Sequence, residues 1–190
     1  MSKLLFVREY GDLGYGVDYD NWDSSKRITC AFTGHRPQSF AFKFNEDAPQ
    51  ALEIKRRLRE EIERAIDDDY SIFLSGGALG IDTWAALCVL ELRTHYYPFI
   101  RLELVLPCLG QESRWNAKAK ETYAYLLDNA DAVTRTSRSY YFDGCMKMRN
   151  DVLVKRSNRL IAVWNKKPSG TGQTVSMAYR QGLDVALIDV

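Results

Sequence analysis

Short apolar runs that stop at glycine- or proline-bearing loops, each followed by a helical pattern, recur along this chain and restrict its fold more than any other feature. Ile28–Phe32 stops at Thr33-Gly34-His35-Arg36-Pro37, Ser71–Leu74 at Ser75-Gly76-Gly77, Leu102–Leu106 at Pro107, and Arg159–Trp164 at the loop Asn165–Gly172. Between them, Pro49–Asp67 places Ala51, Ile54, Leu58, Ile62 and Ala65 on one stripe with charges elsewhere, which is helical spacing. Thr83–Leu92 is apolar nearly all round, the pattern of a helix buried on more than one side. Arg114–Asn129, Cys145–Ser157 and Gln173–Gln181 also read as helices, and Ala132–Thr134 and Val185–Ile188 as further strands. A strand–loop–helix unit repeated four or five times predicts an α/β, Rossmann-like fold, a mostly parallel sheet with helices on both faces. Ligands of such sheets bind beyond the carboxyl ends of the strands, where the strand order reverses.

The chain has 190 residues, enough for one domain with a sizeable core, read here over 27–190. Residues 1–26 are an extension with turn chemistry at Tyr10-Gly11 and Gly14-Tyr15-Gly16 and no sustained periodicity, expected to pack along the domain or form a lid. Asp18, Asp20 and Asp23 lack the glycine and the closing Glu of a calcium loop. No apolar run approaches the roughly 20 residues that cross a bilayer, and Leu4–Val7 is too short for a signal peptide, so a cytoplasmic protein without a membrane partner is expected. Cys30, Cys88, Cys108 and Cys145 lie far apart, and His35 and His95 are the only histidines, so no metal-ligand spacing exists and reduced thiols are expected. A cysteine nucleophile such as Cys108 is a minor alternative to buried, reduced thiols.

Lys and Arg number 26 against 25 Asp and Glu, which argues against a dedicated nucleic-acid binder. The balance is uneven along the chain: Arg135, Arg138, Lys147, Arg149, Lys155, Arg156 and Arg159 face only Asp143 and Asp151. Such a stretch serves a small anion or forms a solvated helix face.

Three loops at predicted strand ends carry the chemistry. After the first strand, Thr33 and Gly34 bring backbone to the sheet edge, while His35 and Arg36 place a hydrogen-bonding ring and a fixed cation there. After the second, Ser75, Gly76, Gly77 and Gly80 precede a helix, an arrangement that cradles phosphate on free amides, with Asp82 as helix cap or ribose acceptor. Its spacing is neither the dinucleotide fingerprint nor a Walker loop. The third, Pro168-Ser169-Gly170-Thr171-Gly172-Gln173-Thr174, is another anion-binding loop before a helix.

These loops, with Thr83-Trp84-Ala85-Ala86, Leu106-Pro107-Cys108, Arg149-Asn150, Leu160–Trp164 and Lys167-Pro168, together resemble the YpsA-like branch of the SLOG superfamily over about Arg27 to Val190. The resemblance implies a Rossmann-like domain for nucleotides or their derivatives, including NAD- or ADP-ribose-like signals. More distant relatives are the LOG phosphoribohydrolases and the DNA-processing Smf/DprA domain. The phosphoribohydrolases carry P-G-G-x-G-T-x-x-E; here Thr174 stands where that Glu would be, and a hydroxyl cannot serve as the carboxylate base.

The leading expectation is therefore a module that binds a phosphate-bearing, nucleotide-like molecule for sensing or sequestration, without catalysis and without a resident cofactor. Ser75, Gly76, Gly77, Gly80, Gly170, Thr171 and Gly172 would hold phosphate, Arg36, Arg149 and Arg114 would neutralise it, and Trp115 or Trp84 would stack on a base. Asn150 and Thr174 complete the expected binding set. The alternatives are a nucleotide hydrolase with Asp82 or Glu112 as acid or base and His35 as helper, and single-strand binding around Tyr140-Tyr141-Phe142. Homo-oligomerisation is implied by the resemblance alone.

Overall fold

The computed structural model describes residues 6–9 and 25–190. Six strands from Thr29 onward are all parallel: β2 (Thr29–Gly34), β3 (Ile72–Ser75), β4 (Arg101–Leu106), β5 (Ala132–Arg135), β6 (Arg159–Trp164) and β7 (Asp184–Asp189). A seventh, β1 (Phe6–Glu9), adds in parallel to the edge of β5, with Phe6 opposite Ala132 and Glu9 opposite Arg135. The order across the sheet is β1-β5-β4-β3-β2-β6-β7. Successive strands step one way from β2 to β5 and the other way through β6 and β7, so the order reverses between β2 and β6.

Among the described residues after β2, five helices connect them, α1 (Pro49–Asp67), α2 (Ile81–His95), α3 (Ala117–Asn129), α4 (Cys145–Arg156) and α5 (Gly170–Arg180), with a 3-10 turn at Pro37–Ser39. Because side chains alternate along a strand, each buried strand supplies two cores. Cys30 and Phe32 of β2, with Ile161 and Val163 of β6, pack under α1 and α2. Ala31, Leu160 and Ala162 face the other way, against Val152 and Leu153 of α4 and Val175 of α5. A second link between layers is the buried Arg156–Glu103 pair at 2.6 Å, which ties the end of α4 to β4.

The α1 and β6 spans match the expectation, and the remaining differences have local causes. α3 begins three residues later than expected because the Asn116 side chain accepts from the Ala119 amide at 2.9 Å and caps the helix there. α5 begins earlier: Ser169 caps it by accepting from the Gly172 amide at 3.2 Å, so Gly170-Thr171-Gly172 is a first helical turn, not a loop. The sheet is wholly parallel where a mostly parallel one was expected. β1 falls in the stretch read as having no periodicity; the packing or lid expected of the rest of the extension, and its aspartates, lie outside the described residues. Among the described residues, no helix is long and apolar enough to cross a membrane.

Candidate functional site

The carboxyl ends of β2 and β6 converge at the reversal point. His35, just past β2, lies with its Nε2 2.9 Å from Asn165 Oδ1 and 3.2 Å from the Asn165 amide nitrogen, just past β6. Asn165 Oδ1 also accepts from the Lys167 amide at 3.1 Å. A protonated Nε2 donates to Oδ1, whereas the other tautomer accepts from the amide. Either way the ring joins the two strand tips across which the sheet order reverses.

Beside this junction opens a cavity of about 430 Å³. The end of β2 supplies Thr33 and Gly34 and the loop after it His35 and Arg36; α4 supplies Met146, Arg149, Asn150 and Leu153; the start of α5 supplies Ser169, Gly170 and Thr171. Ala78 and Asp82 close it from the α2 side. Nine expected site residues therefore meet in one place: Thr33, Gly34, His35, Arg36, Asp82, Arg149, Asn150, Gly170 and Thr171. Ser169 belongs to the third expected loop, whereas Met146 and Leu153 were not singled out from sequence, although Met146, Arg149, Asn150 and Leu153 follow the i, i+3, i+4, i+7 spacing of one helical stripe.

Arg149 is the centre of this wall. It is 6% exposed, and its Nη1 donates to Asp82 Oδ2 at 2.8 Å. The contact passes over Gly76, directly after β3: a Cβ there would stand 1.0 Å from Arg149 Nη1. Since α4 and α2 cover opposite faces of the sheet, the pair bridges both layers across the tip of β3. Arg149 Nε is buried with no hydrogen-bond partner, a rare condition for so costly a group.

The start of α5 faces the same space. Ser169 occupies the Gly172 amide through its hydroxyl and the Gln173 amide through its carbonyl. The amides of Gly170 and Thr171 then have no acceptor among the described residues, as at any helix start that lacks a ligand. An added Cβ at Gly170 would meet nothing within 4 Å, so this end is open.

Other expected residues have different work. The second loop is closed on itself: the Gly77 amide donates to Ser75 Oγ at 3.1 Å, Ser75 Oγ donates to the Asp82 carbonyl at 2.8 Å, and the Ala78 amide donates to Asp82 Oδ2 at 3.4 Å. Ser75, Gly76 and Gly77 thus form no open phosphate cradle, because Arg149 and Asp82 fill it. Gly80, at φ +88°, lets the loops interlock; its Cβ would stand 2.7 Å from the His35 carbonyl oxygen. Gly34 makes room for Ile81, and Gly172 for the Trp164 ring. Thr174 is fully buried, accepting from Asn150 Nδ2 at 2.9 Å and donating to the Gly170 carbonyl at 3.0 Å, so it braces α4 against α5. Arg114 and Trp115 line a neighbouring cavity instead.

The candidate acids and bases are differently placed. Asp82 is engaged by Arg149 and the Ala78 amide, and His35 by Asn165. Glu112 does not line the cavity. Burial, then the neighbouring Cys145, pushes the Cys108 thiol up to about 11, which leaves it protonated and non-nucleophilic at neutral pH. No group of three metal-ligating side chains occurs among the described residues. Of the basic run, Arg149 and Arg156 are buried in ion pairs, and Arg159 pairs with Asp68 and Asp184 at 2.7 and 2.6 Å.

The family model described as the YspA SLOG family matches residues 30–184. UPF0398 proteins of Bacillus thuringiensis (strain Al Hakam) and Bacillus cereus (strain AH187) are each 31% identical over 154 residues, 80% of this chain and 83% of theirs. Among solved structures, DNA processing protein A from Helicobacter pylori, described for its single-stranded DNA binding mode, superposes with a TM-score of 0.58 at 15% identity, covering 88% of this chain and 67% of that one. DNA processing protein A from Streptococcus pneumoniae gives 0.56 at 19% identity, covering 86% of this chain and 50% of that one. At such identities the likeness is one of fold.

Proposed function

This chain belongs to the YspA SLOG family, and on that premise we propose that it binds a phosphate-bearing nucleotide or nucleotide derivative at the β2/β6 reversal point, as a sensor or sequestering protein that leaves the ligand intact. The observation that carries this reading is Arg149, buried at the cavity wall with Nε unpartnered. Gly170 and Thr171, at the start of α5, line the same cavity, and the positive end of a helix with an arginine in the same wall is suited to phosphate. Arg36 adds a second cation at the rim. Binding without turnover is favoured because Asp82 and His35 are committed to structural partners and Thr174 is buried between helices.

The test is a thermal-shift screen of mononucleotides, NAD, ADP-ribose and cyclic dinucleotides, followed by mass spectrometry of each mixture. A true ligand at 100 times its Kd stabilises the native state by about 2.7 kcal/mol. A shift with the ligand mass unchanged supports the reading; a new mass replaces it with a hydrolase; no shift with any member counts against it.

A second reading, single-stranded DNA binding, has support from the fold shared with DNA processing protein A and from one further surface. Tyr141, 68% exposed, lines a cavity with Lys147, Lys166 and Arg180 beside the start of α5, a combination of stacking ring and cations suited to a single strand. A labelled oligonucleotide retained with steep salt dependence would favour it.

A further inference from the structure

The wall between the reversal-point cavity and a neighbouring one of about 930 Å³ carries an amide whose two ends are not interchangeable. Asn150 lines both cavities, together with Met146, Ser169 and Gly170. We propose that Asn150 presents a fixed hydrogen-bond acceptor to the ligand, and so selects nucleotides with a donor at that point, an exocyclic base amine or a ribose hydroxyl. The inference rests on the proposed binding of a nucleotide beside Arg149 and names which nucleotides that site accepts.

The orientation of the amide is set one helix away. A threonine hydroxyl has a single proton, and that of Thr174, fully buried in α5, is donated to the Gly170 carbonyl at 3.0 Å. Its oxygen is left to accept, and it accepts from Asn150 Nδ2 at 2.9 Å. With the amide turned round, two oxygens would face each other with no proton between them unless the hydroxyl gave up Gly170. The nitrogen is therefore spent inside the protein. Asn150 Oδ1 has no donor among the described residues, and the half-buried side chain leaves it toward the cavities. Unlike Arg149 Nε, it is not sealed from solvent. It is an open acceptor held in place by a partner that water does not reach.

The surroundings decide what meets it. A phosphate oxygen at Oδ1 would set lone pairs against lone pairs, so the phosphate belongs to Arg149 and the start of α5, and another part of the ligand to Asn150. The larger cavity continues that path with Tyr141, Trp164 and Met177 in its wall, flat or apolar surfaces on which a base can rest. A ligand running from one cavity into the other brings its sugar or the edge of its base past Asn150. A site built to bond a donor rejects an analogue that lacks it more strongly than a site that only fits its shape, because its own polar atom is then left unpaired.

Calorimetric titration of the full chain tests this with matched 5′-monophosphates: adenosine against inosine, cytidine against uridine, and adenosine against its 2′-deoxy and 3′-deoxy forms. The first two pairs replace an amine donor by a carbonyl, and the last two remove one hydroxyl. At least one pair should differ by about tenfold or more in Kd, and which pair does so tells the base amine from the ribose. In Asn150→Ala that ratio should fall below threefold. Thr174→Val keeps Asn150 but frees the amide to turn, and should cut the same ratio at least threefold. A side chain that merely braced α4 against α5 would, on removal, weaken all probes alike and leave the ratios where they were. Ratios all below tenfold in the unaltered protein, or one that stays above threefold in Asn150→Ala, overturn the assignment and leave the nucleotide reading standing. A ratio unchanged in Thr174→Val overturns the positioning role given to Thr174. Failure of every probe to bind overturns the assignment together with the reading it rests on.

Discussion

Asp82 and Arg149, 67 positions apart in sequence, meet at 2.8 Å over the Cα of Gly76 and so join the helical layers on the two faces of the sheet. Both side chains are less than a tenth exposed. A pair removed this far from water contributes little net stability while intact, but losing one member strands the other charge. The same contact sets the wall against which a ligand phosphate would rest.

Gly76→Ala places a methyl 1.0 Å from Arg149 Nη1 and 2.5 Å from Asp82 Oδ2, so the pair must separate. We expect a loss of about 3 kcal/mol or more in urea unfolding, together with loss of nucleotide-induced stabilisation. Gly170→Ala is the control: nothing lies within 4 Å of the new methyl, and the change should fall within about 0.5 kcal/mol.

Asp82→Asn should cost about 3–5 kcal/mol, because the guanidinium stays buried without its counter-charge. Adding Arg149→Met should recover part of that loss, giving a clear coupling energy in a double-mutant cycle. Additive losses would mean that the two side chains act separately.

His35→Ala frees the tips of β2 and β6 from each other. A cost of about 1–2 kcal/mol is expected from the lost bond and the exposed partner. The diagnostic readout is hydrogen exchange, which should quicken at the amides of Asn165 and Lys167, since both belong to the His35–Asn165 junction.

Alkali should destabilise the fold before any residue is changed. Burial pushes Cys108 from 9.0 up to about 11 and Cys88 from 9.0 up to about 12, and pushes Tyr123 from 10.0 up to about 12 against the opposing hydrogen bond from Gln111. These groups lose protons more easily when unfolded, so the native state binds more protons above pH 9 and stability falls as pH rises. The contribution is intact below about pH 9 and lost by about pH 12. Urea midpoints at pH 8, 9.5 and 11 should decline in that order; a flat series would contradict the buried state of the three groups.

Most of the architecture was legible because a parallel sheet covered on both faces writes itself as unbroken apolar runs, and a one-sided helix such as Pro49–Asp67 as a stripe. The site was legible in position, since loops after strands β2 and β6 must lie at one edge. Its inner workings were not. Gly76 and Gly77 have the composition of a phosphate loop, but whether their amides are open depends on Arg149, which arrives from another helix on the opposite face. Likewise Gly172 reads as a ligand contact, yet it makes space for the Trp164 ring, and Gly34, which does line the cavity, also makes room for Ile81. Ser169 was read as part of the loop before the helix, whereas its hydroxyl caps the helix and starts it through the two glycines. The edge strand Phe6–Glu9 has too few residues to show a period at all.

A ribosome making this chain delivers Phe6–Glu9 well before Ala132–Arg135, the strand it pairs with. In that interval β2, β3 and β4 can pair among themselves while β1 is still without a partner. During that interval a short segment with open backbone donors and acceptors is available to other chains, which makes translation speed and chaperone capture over residues 10–131 matter to yield. Slowing synthesis once Ala132–Arg135 has left the ribosome would give the strand time to dock at the edge; slowing it earlier would lengthen its exposure.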